Sequence, residues 1–179
     1  LLCVGRLTPA KGQILLVQAL AQLRDADVPF HLTLVGAGPD RDRIEREVTA
    51  CGLERHVTLT GALTQDQVRE RFGLADIFVL PSLAEGIPVV LMEAMSCGVP
   101  CVTTPVNGIP ELVLHDQTGL LATPGDVDNL AARLRQLIEQ PVLRRTLALA
   151  ARDKVRRDFD LHRNVAALGG IFATFPETA

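Results

Sequence analysis

The chain has no tryptophan and no tyrosine, and only six phenylalanines among its 179 residues. Few rings are on hand to stack against nucleic-acid bases. A basic excess is missing too: the net charge is −3, and the cations are scattered apart from small groups near Arg144 and Arg156. Both absences argue against a nucleic-acid partner. No apolar run approaches the roughly 18 residues that a membrane span needs, and no secretory signal pattern stands at the start. Cysteine is sparse. Cys3, Cys51, Cys97 and Cys101 make no disulfide framework at this length. Cys97 and Cys101 form C-x3-C, but the histidines are dispersed and complete no metal-site spacing. All four are expected to be buried free thiols in a reducing compartment. Internal repeats, low-complexity tracts and long linkers are also absent.

What remains is 47% hydrophobic and 22% charged, a composition and length suited to one domain with a real core. The opening "LLCVGRL" already lies inside an apolar strand pattern and carries no methionine. The chain is therefore expected to be part of a longer protein.

Two periods alternate along it. Short apolar runs at 1–4, 30–36, 56–61, 76–82, 99–104 and 119–122 read as strands, most of them ending at or near glycine. Between them, 12–24, 40–51, 64–73, 84–98 and 110–115 show helical character, with Gly52 as a stop signal. Helices are expected again at 126–140, 141–158 and 161–175. Strands alternating with crossover helices predict a doubly wound α/β domain with a parallel, Rossmann-like sheet. Its strands are apolar on both sides, as a covered parallel sheet requires.

In such sheets a ligand sits beyond the carboxyl ends of the strands. The loops there read "GRLTPAKG", "GAGPD", "GALT", "PSLAEGIP" and "TTPVNGIPE". The first carries Arg6 and Lys11, a guanidinium fork and an ammonium suited together to a diphosphate. The fourth leads into a helix with Pro88 near its first turn, so unpaired N–H groups around Gly86 to Val90 offer an anion site. Glu85 and Glu93 stand eight residues apart, two helical turns, and could share one side of a helix that extended that far. Glu93 lies between Met92 and Ala94 in an apolar stretch, where a buried carboxylate would need donors; sugar hydroxyls are such donors. Each residue also has a plain structural reading: surface cations for Arg6 and Lys11, a dipole-favoured helix start for Glu85, a salt bridge or exposed position for Glu93. Four D-x-D pairs, at Asp25/Asp27, Asp40/Asp42, Asp126/Asp128 and Asp158/Asp160, fall at helix ends or in the tail and read as caps rather than metal ligands.

Taken in order, "GRLTPAKG", "LVGAGPD", "VTLTGAL", "ADIFVLPSLAEGIPVVLMEAMSCGVPCVTT" and "NGIPELVLHDQTGLL" resemble the donor-binding domain of a retaining GT-B glycosyltransferase of the large family-4 group (glycosyl transferases group 1). The resemblance implies that 1–179 is the C-terminal half of a GT-B fold, with an acceptor-binding N-terminal domain elsewhere in the same protein. It implies a nucleoside-diphosphate sugar as donor, with Arg6 and Lys11 on the diphosphate, Glu85 on the transferred sugar and Glu93 on the ribose. Backbone of Gly86, Ile87, Pro88, Val89 and Val90 would complete the sugar and phosphate cradle. The base would lie near Gly61, Ala62 and Leu63, and Gly5, Gly36 and Gly38 would line the floor. No cofactor and no metal would be required. The protein would be cytoplasmic, with peripheral membrane contact open to the missing domain, and the tail at 160–179 would pack either on that domain or on its own. Two departures stand out: Ile87 where the family often has phenylalanine, and Asn107-Gly108 where it often has two glycines.

Rival readings fit less well. A nucleotide-sugar epimerase needs acid–base residues that have no evident place here. A nicotinamide dehydrogenase needs G-x-G-x-x-G after the first strand, which "GRLTPAKG" does not supply. The alternative from another class is a non-catalytic nucleotide-sugar-binding module that kept the fold and lost the reaction; intact Glu85, Glu93, Arg6 and Lys11 argue against such decay.

Overall fold

The computed structural model describes residues 1–173. Its strands are β1 (Leu2–Val4), β2 (Leu32–Val35), β3 (Val57–Gly61), β4 (Phe78–Leu80), β5 (Cys101–Thr103) and β6 (Leu120–Leu121). Its helices are α1 (Gln13–Asp25), α2 (Arg41–Ala50), α3 (Gln65–Leu74), α4 (Val89–Ser96), α5 (Ile109–Leu112), α6 (Val127–Glu139), α7 (Pro141–Asp158) and α8 (Leu161–Ala173). All strand pairs are parallel, in the order β3-β2-β1-β4-β5-β6. This is the doubly wound, Rossmann-like sheet expected from the alternating periods.

Local chemistry sets the element boundaries. Thr64 and Gln67 form a reciprocal capping box at the start of α3, an arrangement whose loss typically costs about 1 kcal/mol. Asp126 caps α6 by accepting from Asn129 N–H at 2.9 Å. Gly52, past the end of α2, takes φ +63, a conformation that favours glycine. Strands β4 and β5 are buried at every residue, because helices cover both faces.

Two cores result. On one face Leu16, Leu20 and Leu23 of α1 pack with Ile44 of α2 and with Leu130 and Leu134 of α6. On the other, Phe72 of α3, Leu91 and Met95 of α4, Leu112 of α5 and Ala151 of α7 pack on Phe78 and Cys101. Phe72 meets Phe78 edge-on, with ring centroids 5.6 Å apart. The crossover after β1 thus lies on one face and that after β4 on the other. The two strands are neighbours, so the chain diverges above them and leaves a crevice at their carboxyl ends.

Two expectations change here. Helix α4 begins at Val89, not near Ala84, and Pro88 is its N-cap with ψ 116 rather than a first-turn residue. Residues 82–88 are loop, so Glu85 and Glu93 do not share a helix side. The tail is helical through Ala173, and Leu161, Val165 and Leu168 along one stripe of α8 are 72%, 59% and 51% exposed. Its own domain does not cover that stripe. The side chain of Phe172 and all of residues 174–179, with Phe175, lie outside the described residues. Among the described residues no helix is long and apolar enough to cross a membrane.

Candidate functional site

The loop after β1 is built on backbone contacts. Gly5 N–H donates to Val35 O and Leu7 N–H to Ala37 O, each at 3.0 Å. Arg6 stands between these anchors with its side chain exposed. Its carbonyl accepts from Nε2 of Gln13 at 3.0 Å, and Gln13 is itself buried in the first turn of α1. A 3-10 turn, Pro9–Lys11, then presents Lys11 and ends at Gly12 with φ +68. A β-carbon on Gly12 would strike the Pro81 carbonyl, so the loops after β1 and β4 touch backbone to backbone. Leu83 N–H adds a bond to Ala10 O at 2.7 Å.

That contact brings Lys11 to Glu85. Lys11 Nζ donates to Glu85 Oε1 at 2.5 Å, and Ser82 Oγ donates to the same oxygen at 2.6 Å. Asn107, in the loop after β5, donates from Nδ2 to the Glu85 carbonyl at 2.5 Å. Asn107 takes φ +46, in the left-handed region that asparagine tolerates.

A cleft of about 770 Å³ opens beside this cluster, within the range typical of small-ligand sites. Gly5, Arg6 and Lys11 form one wall; Val89, Val90, Met92 and Glu93 of α4 form another; Leu63 with Val68 and Phe72 of α3 form a third. Val155 and Phe159 close the base. Leu91 N–H turns back onto Pro88 O at 3.0 Å, leaving the N–H groups of Val89 and Val90 as the orphan donors of the helix start. Two cations, two helix-end donors and one carboxylate therefore meet around one apolar-floored space, an arrangement that suits an anion attached to a hydroxylated, partly apolar body.

Several candidate residues sit elsewhere than expected. Glu93 is exposed on the cleft wall, not buried. Leu91, Ala94 and Met95 turn toward the core, which leaves Glu93 on the other side of the same helix. Gly36 and Gly38 do not line this cleft: β-carbons there would strike the backbone of Gly5 and Leu7, so both glycines back the Arg6 loop instead. Gly61, with φ +78 beside an irregularity in the β2–β3 register, and Ala62 also lie outside the lining, while Leu63 is in it. Gly86, Ile87 and Pro88 border it through the Glu85 loop rather than lining it.

Residues that sequence reasoning passed over also line the cleft. Gln65, Val68, Arg69 and Phe72 present one face of α3, and Val155 and Phe159 come from the end of α7. The 65/68/69/72 spacing was the available signal for a helix face; that it faces Glu93 is a tertiary fact. Cys97 lines the cleft and is exposed, which corrects the expectation of four buried thiols; Cys51 is half-buried, and only Cys3 and Cys101 are fully covered.

The histidines stay clear of this space. His56 packs against Phe30 with the rings tilted and their centroids 5.3 Å apart, His31 Nε2 shares a hydrogen bond with Thr58 Oγ1, and His115 Nδ1 accepts from Leu121 N–H. Of the D-x-D residues, Asp126 caps α6, Asp160 accepts from Arg163 N–H, and Asp158 pairs with Arg157 and Lys154. Among the described residues no three His, Cys, Asp or Glu side chains converge as a metal site. A shallower depression of about 440 Å³, holding Asp76, Arg144, Arg145 and Arg152, lies at the amino ends of β4 and β5. The first turn of α7, with Pro141 and Arg144, borders it, but no loop from a strand's carboxyl end does.

The family model described as "Glycosyl transferases group 1" matches residues 1–154. The amylovoran biosynthesis glycosyltransferase AmsK of Erwinia amylovora is 38% identical over 168 residues, covering 90% of this chain and 41% of that protein. A GDP-mannose-dependent α-(1-6)-phosphatidylinositol monomannoside mannosyltransferase of Mycobacterium tuberculosis is 35% identical over 143 residues, covering 76% of this chain and 37% of that one. The crystal structure of Anabaena HepE in complex with UDP superposes with a TM-score of 0.88 at 28% identity, over 97% of this chain and 49% of HepE. The chain thus spans less than half the length of each of these relatives.

Proposed function

Because the chain belongs to the glycosyl transferases group 1 family, we propose that it is the donor-binding half of a retaining glycosyltransferase that uses a nucleoside-diphosphate sugar. The observation that carries this is the meeting of Arg6, Lys11, Glu93 and the start of α4 in one cleft at the point where the strand order reverses.

Arg6 and Lys11 hold the diphosphate, with the N–H groups of Val89 and Val90 beside them. As the bond from sugar to phosphate breaks, positive charge spreads over the sugar ring and negative charge grows on the leaving phosphate. Fixed cations and helix-end donors act where that charge appears, so the reading requires no metal and no cofactor. Glu85 hydrogen-bonds the transferred sugar, and Glu93 accepts from the ribose hydroxyls. The base lies against Leu63, which Gly61 and Ala62 hold in place from outside the lining. Gly5 lets the diphosphate approach the backbone, with Gly36 and Gly38 supporting that loop from behind. Gly86, Ile87 and Pro88 carry the cradle from Glu85 to the helix start.

The acceptor site belongs to an N-terminal domain of the same protein, and the exposed stripe on α8 is its contact. The chain alone binds donor and transfers nothing. Biosynthetic relatives support a cytoplasmic protein, with membrane contact made by the other domain. The HepE crystal structure is a complex with UDP and the mycobacterial relative is GDP-mannose-dependent, so the experiment compares UDP, GDP and ADP. Calorimetric titration of the chain with each should give binding by one. No heat from any of them, at millimolar ligand with folded protein, would end the proposal.

A further inference from the structure

We infer that Ser82 and Asn107 are positioning residues for Glu85: they fix which carboxylate oxygen meets the ligand and keep Lys11 available to the diphosphate. This rests on the reading above, in which Glu85 touches the transferred sugar.

Ser82 is completely buried, and a buried hydroxyl needs a partner. Its Oγ donates to Glu85 Oε1, the same oxygen that Lys11 Nζ reaches. With both donors on Oε1, it is Oε2 that keeps the acceptor capacity a sugar hydroxyl requires. The Glu85 side chain is 7% exposed, so turning it away would mean giving up two charge-assisted bonds in a poorly hydrated place. Ser82 is held in turn, since its carbonyl accepts from the buried Thr104 Oγ1 at the end of β5. Asn107 secures the main chain of the same residue through its bond to the Glu85 carbonyl. Loops after β1, β4 and β5 thus each supply one donor to a single residue. Without Ser82, Lys11 is the sole donor on Oε1, and the carboxylate competes with phosphate for the ammonium. Without the Asn107 amide, the exposed segment Gly86–Ile87 loses its tie to the β5 loop.

The test is calorimetry on the chain and on Ser82→Ala and Asn107→Gly, with Glu85→Ala as reference. Glycine keeps the left-handed backbone at 107 and removes only the amide. Ligands are the monophosphate, the diphosphate and the hexose diphosphate of whichever nucleoside binds among uridine, guanosine and adenosine. The parent chain should bind the sugar conjugate more tightly than the diphosphate. Both variants should lose roughly tenfold of that preference, as one charge-assisted hydrogen bond would account for, with monophosphate affinity unchanged. A merely structural role would instead weaken all three ligands alike and lower the thermal midpoint. That pattern, an unaltered sugar preference in both variants, or a parent chain with no preference would overturn the inference while leaving nucleotide binding intact. Failure of every nucleotide to bind the parent chain would overturn the proposed function and this inference together.

Discussion

Lys11 and Glu85, seventy-four positions apart in sequence, form a 2.5 Å ion pair that joins the loops after β1 and β4. The carboxylate is the less exposed partner, at 7% against 23% for the ammonium. Removing the cation leaves a nearly buried anion with one remaining donor; removing the anion leaves an ammonium that can turn to water. Lys11→Ala should therefore cost about 1–3 kcal/mol, and Glu85→Ala less. Urea unfolding of both variants measures this, and equal stability of the parent and Lys11→Ala would show that the pair is no structural tie.

Arg6 and Glu93 are exposed on the cleft walls. Neither anchors the fold, so Arg6→Ala and Glu93→Ala should keep stability within about 0.5 kcal/mol of the parent. Binding should separate them. Arg6→Ala should weaken a nucleoside diphosphate and inorganic pyrophosphate alike, by tenfold or more. Glu93→Ala should weaken the nucleotide and spare pyrophosphate. Titrations with both ligands check the split.

Gly12 and Gly125 share a left-handed backbone, with φ +68 and +79, but differ in their surroundings. A β-carbon at 12 meets the Pro81 carbonyl, while one at 125 meets open space. Gly125→Ala should cost about 1 kcal/mol from backbone strain. Gly12→Ala should cost several-fold more, because the two site loops must part. Denaturant midpoints decide, and equal losses would mean that the loop contact yields easily.

The thiols should separate by position. Cys97, exposed on the cleft wall, should react fastest with Ellman's reagent, and a bound nucleoside diphosphate should slow it. Cys3 and Cys101 should stay silent until unfolding. Burial pushes the Cys3 thiol up to about 12 from 9.0, against a smaller lowering by Lys11, and raises Cys101 as well. The folded state thus favours the protonated thiols. That contribution is complete below about pH 9 and is lost as pH rises from there through the folded value. Stability measured by urea should fall across that alkaline range, and less steeply in Cys3→Ala.

The fold was largely legible because its physics is local. Apolar runs ending at glycine, alternating with helical periods, mark a covered parallel sheet, and Pro141 and Asp158 bracket α7 at both ends. The site was legible only in part. An apolar run at 84–98 does not say where loop becomes helix, and Pro88 with extended backbone proved to be the border. Glu93 looked buried because its chain neighbours are apolar, yet adjacent helix positions point about 100° apart. The glycines at 36 and 38 mark strand ends as expected, but their reason is the backbone of the loop next door. The walls from α3 and α7, and the bonds from Ser82 and Asn107 to Glu85, join distant segments, and no local pattern encodes them.

The central place of β1 has a consequence for biosynthesis. Leu2 pairs with Thr33 on one side and with Phe78 on the other. A nascent chain can zip β1 to β2 and β3 early, but the opposite edge of β1 stays bare until the ribosome has released Phe78. For that interval the emerging polypeptide offers an unprotected parallel edge, the kind of surface that captures other chains and that chaperones shield. Slowing translation between β3 and β4 should lengthen this vulnerable window and lower the yield of correctly assembled protein.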